Sequence, residues 1–155
     1  MKELSEAKIF LCTCYSDAIF VQRIDKDLHI DYFISYRPGA EQRVEDFYVQ
    51  IPLSKNDSIA KRMKVLLSYS VDEESISFKI NFENEYSNDN GVGTKCYELE
   101  ILKLYNLYSL TLRRTDIESE DENFVWEWCA ERDKFEELME FIKQLEDELD
   151  DELYS

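Results

Sequence analysis

Glycine and proline are scarce, with 3 and 2 in 155 residues, and histidine occurs once, at His29. So few chain breakers exclude a low-complexity or linker-like chain. No apolar run approaches the 18 or more residues of a membrane-spanning helix. The opening MKELSEAKIFLCTCYSD sets acids before a very short apolar run, which is not the pattern of a secretion signal, so a soluble, intracellular (cytoplasmic) protein is expected. Under that expectation Cys12, Cys14, Cys96 and Cys129 are read as reduced thiols. What the chain does have is 44% hydrophobic and 14% aromatic residues, enough for a proper core in one domain spanning 1–155.

Positive charge is also missing, and from one place. The net charge is −17. Residues 1–115 hold 18 acids and 15 bases; residues 116–155 hold 17 acids and only Arg132, Lys134 and Lys143. The excess therefore sits in the last quarter of the chain. Such a surface repels nucleic acid and anionic membranes, whose binding depends on Lys and Arg, and it attracts basic protein surfaces.

Alternating apolar runs dominate the order of elements. KIFLCTCY (8–15) and DAIFVQRI (17–24) read as a hairpin about Ser16-Asp17. LHIDYFISYR (28–37) places Leu28, Ile30, Tyr32, Ile34 and Tyr36 on one face and His29 and Asp31 on the solvated one. EDFYVQI (45–51) is a fourth candidate strand, and NDSIAKRMKVLLSYS a helix capped by Asn56, Asp57 or Ser58. The second half repeats the order. SISFKINFE (75–83) turns Ile76, Phe78, Ile80 and Phe82 inward, SNDNGVG (87–93) reads as a loop, and KCYELEILKL and LYSLTLRR pair about Tyr105-Asn106. FVWEWC (124–129) is a short strand, and Asp133 with Glu136 suggests a capping box for a last helix. On that helix Phe135, Leu138, Ile142, Leu145 and Leu149 form one apolar stripe, which leaves the acids from Glu146 onward mainly on the solvent face. The expected fold is α+β: antiparallel sheets of seven or eight strands with two helices, and a ββββα pseudo-repeat over 8–70 and 75–152 as an option.

No catalytic or metal motif survives inspection. Cys12-x-Cys14 on a strand puts both sulfurs on the face of Phe10, which reads as core; zinc knuckles carry their cysteines on turns. No G-x-S-x-G or comparable elbow accompanies His29. GVGTK (91–95) precedes a strand, whereas a phosphate loop precedes a helix. Ser87-Asn88-Asp89-Asn90-Gly91 falls short of a calcium loop, and Asp72, Glu73 and Glu74 read as an acidic loop. Lys55, Lys61, Arg62 and Lys64 make a small basic cluster, read as a solvated helix face. No metal or cofactor is expected.

The segment KIFLCTCYSDAIFVQRIDKDLHIDYFISYR resembles uncharacterised phage proteins that open with a C-x-C hairpin and an acidic turn; Ser16-Asp17-Ala18 departs from their usual histidine. The resemblance implies a phage or mobile-element origin and brings no activity with it. Four strands and a helix, twice, also resembles the PC4-like or Whirly pattern of single-stranded nucleic-acid binders, a function that would need a basic sheet face. The favoured expectation is a non-enzymatic inhibitor of the anti-CRISPR or anti-restriction kind. It would mimic DNA and cover the basic surface of a nucleic-acid-binding enzyme, without binding nucleic acid or membrane itself. An immunity protein against a basic toxin is the alternative within that class. The residues expected to carry binding are Glu118, Glu120, Asp121, Glu122, Glu127, Glu136, Glu137, Glu140, Asp147, Glu148, Asp150 and Asp151.

Overall fold

In the computed structural model, residues 6–39, 47–54, 56–73 and 75–154 are described. Lys55, Glu74 and the first two residues of the EDFYVQI segment lie outside them. The first half runs β1 (Lys8–Leu11), β2 (Ala18–Ile24), β3 (Asp27–Phe33), β4 (Tyr48–Pro52) and α1 (Ile59–Leu67). The second runs β5 (Ile76–Asn88), β6 (Gly91–Leu104), β7 (Leu107–Arg114), a single helical turn α2 (Glu120–Asn123), β8 (Phe124–Glu131) and α3 (Arg132–Tyr154). Each half forms a four-stranded antiparallel meander in chain order. Among the described residues the chain adopts the expected α+β class, with eight strands and two full helices, and the order ββββα occurs twice once the one-turn α2 is set aside.

Alternation explains the inward faces. Leu28, Ile30 and Tyr32 are buried, as are Tyr97, Leu99 and Ile101 on β6. Phe82 is buried, while Ile76, Phe78 and Ile80 pack half-buried against the same core. That core draws on both halves, because α1 packs on α3 and β8 reaches into the first half. The Trp128 indole N–H donates to the Phe10 carbonyl at 3.0 Å, the Trp126 indole to the Phe47 carbonyl at 3.1 Å, and the Thr13 amide to the Cys129 carbonyl at 2.8 Å. At the edge of the first sheet, the Asn84 carboxamide accepts from the Gln50 amide at 2.9 Å and donates to its carbonyl at 2.6 Å. One side chain thus fills the place of a further strand on β4.

Four expectations are corrected. KIFLCTCY is too long a strand: β1 stops at Leu11, where the Cys12 amide turns to the Asp17 carbonyl. β3 ends at Phe33, since Ser35 adopts φ 50° and its amide donates to Asp17 Oδ1 at 3.0 Å; Ile34 is therefore exposed. His29 and Asp31 are not solvated but 6% and 2% exposed, because β3 is covered on both faces. SNDNGVG is not a loop, since only Asp89 and Asn90 turn and the strands continue to either side. Gly93 sits opposite Tyr86, and a Cβ there would fall 2.5 Å from the Tyr86 ring; the glycine makes room for an aromatic lid across the hairpin. Gly91, at φ 118°, is the residue that the turn itself requires.

Candidate functional site: an acidic groove along the last helix

β8 passes into α3 without a loop, so Asp133 already lies in the first helical turn and not at the capping position. Phe135, Leu138, Ile142, Leu145 and Leu149 are buried, the expected stripe, joined by Met139. Burying one stripe of a 23-residue helix forces the remaining positions outward as a second stripe. That second stripe is acidic. Asp133, Glu136, Glu137, Glu140, Asp147, Glu148 and Asp151 line an open groove of about 770 Å³, against the bases Lys8 and Lys143. Its apolar wall is Phe141, whose ring packs on Phe10 at 5.9 Å with the Lys8 ammonium over both rings. Eighteen residues separate Asp133 from Asp151, about 27 Å of helix at 1.5 Å per residue.

Local physics disfavours this arrangement. Glu136 and Glu140, and Asp147 and Asp151, stand four residues apart, where like charges each cost about 0.2–0.5 kcal/mol. Asp150, Asp151 and Glu152 also occupy the negative end of the helix dipole, and the last turn holds no base. Arg23 offsets part of this from β2. Its guanidinium donates to Glu152 at 2.6 and 3.2 Å, and its Nε lies 4.0 Å from Glu148. The Arg23 side chain is 4% exposed, and its bonds hold the Glu152 carboxyl below the usual range.

The expected binding residues divide into four places. Glu136, Glu137, Glu140, Asp147, Glu148 and Asp151 share the groove, although Glu148 is half-buried facing Arg23. Asp150 lies round the helix, beside Lys61 in a separate hollow between α1 and α3. Glu118 and Glu122 are exposed before β8 and do not line the groove; the side chains of Glu120 and Asp121 lie outside the described residues. Glu127 is half-buried on β8, where it accepts from the Thr111 hydroxyl at 2.9 Å and so has a packing duty of its own.

Glu146 corrects the reading of the acids as solvent face. It turns inward onto α1 and accepts from the Ser58 hydroxyl at 2.9 Å and from the Ile59 and Ala60 amides at 3.1 and 3.2 Å. Ser58 is the capping residue among the three candidates; its Oγ also accepts from the Lys61 amide at 3.1 Å. Burial pushes the Glu146 carboxyl up against the pull of these donors. Arg23, Glu146 and Glu152 escaped sequence reasoning because their partners lie 86 to 129 residues away.

Among the other constellations, Arg62 on α1 sits over the Phe78 ring at 4.3 Å and pairs with Asp57 at 3.5 Å, so the described part of the basic cluster is partly engaged. His29 Nδ1 bonds the Tyr48 hydroxyl, and burial lowers its pKa. Cys12 and Cys129 are buried neighbours, the Cys129 amide donating to Cys12 Sγ at 3.4 Å, whereas Cys14 is exposed and Cys96 half-exposed. The Cys129 thiol is pushed up to about 12, first by burial and then by Glu127. Among the described residues no three ligating side chains of Cys, His, Asp or Glu come together as a metal site would need. Purified protein is expected to carry no stoichiometric zinc and to keep its melting temperature in chelator; one zinc per chain, with unfolding on its removal, would overturn this.

No protein-family model matches the chain, and no curated protein matches it either. Among solved structures it is similar to the Trypanosoma brucei MRP1/MRP2 proteins, at 17% identity and a TM-score of 0.48, over 92% of this chain and 84% of that one.

Proposed function

We propose that this protein is a non-enzymatic binding protein that covers a basic, nucleic-acid-binding surface of another protein, as a DNA-mimicking inhibitor of a host defence nuclease would. The reading places it inside the host cell, encoded by a phage or mobile element. The observation that carries it is the acidic groove: seven carboxylates on one helix, against Lys143 of that helix and Lys8 of β1. Their spread of about 27 Å equals roughly eight steps of one DNA strand at 3.4 Å each. The helix backbone that carries these carboxylates is already ordered by its buried stripe, so recognition costs only the ordering of their side chains. The like-charge pairs and the acids at the wrong end of the dipole weaken the isolated fold, and a complementary basic partner would relieve both.

Two measurements test this. Electrophoretic shift with single- and double-stranded DNA and RNA at about 50 mM salt, where phosphate contacts are strongest, is expected to show no binding. Micromolar binding would overturn the reading in favour of a single-stranded nucleic-acid binder. A partner captured from the host and eluted by rising salt is expected to be a basic nucleic-acid-binding protein, and to release its nucleic acid when this chain is added. A partner that binds this chain and nucleic acid simultaneously would rule out mimicry.

A further inference from the structure

A second hollow, of about 340 Å³, opens where the β1–β2 turn meets the start of β8. Its volume is within the range of small-ligand sites. Three apolar side chains stand unusually bare around it: Tyr15 at 64%, Phe124 at 54% and Ile34 at 53% exposed. Single exposed apolar residues are ordinary, but three around one hollow are not. Beneath them the Tyr32 and Trp126 rings stack at 5.2 Å and 11°, and Phe47 meets Tyr32 edge-on. Two carboxylates complete the lining, Asp17 and Glu127.

The polar groups are held in place. Asp17 accepts from the Tyr32 hydroxyl and from the Ser35 amide, and the Glu127 carbonyl, 2.9 Å from the same hydroxyl, shares its single hydrogen. Glu127 is anchored through both oxygens, one accepting from the Thr111 hydroxyl at 2.9 Å and the other from the Cys129 thiol at 3.6 Å. Each carboxylate oxygen has two lone pairs, so these bonds leave acceptor capacity toward the hollow. Tyr32 is thereby fixed as a neutral phenol, its pKa raised by burial and by Asp17.

Aromatic rings with two carboxylates select a cation. An anion or a phosphate-bearing ligand would meet both carboxylates in a protein of net charge −17. A second copy of the chain would bring the same charge with it. A compact ammonium holds its water tightly, whereas a guanidinium is planar, weakly hydrated and able to stack on a ring while donating to a carboxylate. We infer that the hollow formed by Tyr15, Ile34, Phe124, Trp126, Asp17 and Glu127 is a binding site for an arginine side chain of a protein partner. The site shares no residue with the α3 groove and does not rest on its role.

The probe is a blocked glycine–arginine–glycine tripeptide, with its citrulline analogue as a neutral isostere. Binding is read from the Trp126 indole N–H in two-dimensional ¹H–¹⁵N spectra. The arginine peptide is expected to shift that resonance saturably, and the citrulline peptide to bind about tenfold more weakly. Phe124→Ala and Tyr15→Ala, both at exposed rings, are expected to weaken arginine binding about tenfold with unchanged melting temperature. A variant with the groove acids neutralised is expected to bind the peptide as the parent does. Equal binding of citrulline and arginine, no saturable shift, or full binding by Phe124→Ala and Tyr15→Ala would each overturn the assignment. Loss of the shift in the groove variant would show that the peptide was reporting the α3 acids instead.

Discussion

Neutralising the exposed groove acids, with Glu136, Glu137 and Glu140 changed to Gln and Asp147 and Asp151 to Asn, is expected to leave the fold intact and slow association with the partner by about 10–10³-fold. These five residues lie off the buried stripe, and the change takes the net charge from −17 to −12. Surface substitutions usually stay within about 0.5 kcal/mol each, and fewer like-charge pairs act in the stabilising direction. Glu148 is left unchanged because it faces Arg23, and Asp150 because it lies on the α1 side. The parent's association rate should fall steeply with salt and the variant's should not, which stopped-flow mixing at two ionic strengths would separate. Leu145→Ala is the converse control. It removes a fully buried side chain and is expected to cost about 2–5 kcal/mol of stability, with binding lost only where the helix is lost. A neutralised variant that binds as fast as the parent at low salt would reduce the groove to a solvated surface.

Glu146→Ala is expected to lower unfolding free energy by about 2–4 kcal/mol, an unusual loss for an acid on an acidic helix. The substitution orphans the Ile59 and Ala60 amides and the Ser58 hydroxyl together, and so opens the start of α1. Glu146→Gln keeps an acceptor and removes the charge, and should recover most of the loss. pH then separates the two contributions. Burial raises the Glu146 carboxyl above its unfolded value of 4.5, so protonation favours the folded state. The parent should therefore gain stability relative to Glu146→Gln as pH falls from neutral toward 4.5, the opposite of a salt-bridged carboxylate. Denaturant titrations of both proteins at pH 7 and 5 give that difference directly. A parent that loses ground to the Gln variant on acidification would mean that the three donors outweigh burial.

Strict alternation, as in Ile76 to Phe82 or Tyr97 to Ile101, and a heptad-like run such as Phe135 to Leu149 made the second sheet and α3 legible from residues alone. Each such element buries one face, and the pattern records which. The misreadings come from partners that the local pattern does not display, some across one hairpin and some far off in the sequence. His29 and Asp31 alternate as a solvated face should, yet β3 is covered on both sides. Gly93 reads as a loop residue until Tyr86 is seen across the ladder. Glu146 is one carboxylate among many on its helix, like Asp147 beside it, and is set apart by the helix end it meets 86 residues earlier. At the groove, composition identified the acidic helix, whereas its division among groove, Arg23 clamp and α1 hollow came from packing. The aromatic hollow left no trace in any single segment, since its lining comes from the β1–β2 turn, the end of β3, the start of β4 and β8.

The indole bonds of Trp126 and Trp128 to the carbonyls of Phe47 and Phe10 set an order of events during synthesis. A ribosome adding about 5–20 residues per second delivers Phe10 many seconds before Trp128. Until α3 emerges, α1 lacks the helix it packs on, and the Ser58 turn has no glutamate to close it. The first half is thus a waiting template whose last pieces are made more than 100 residues later. Closing a loop of more than 100 residues costs more chain entropy than closing its own short hairpins, which acts to slow the last packing step.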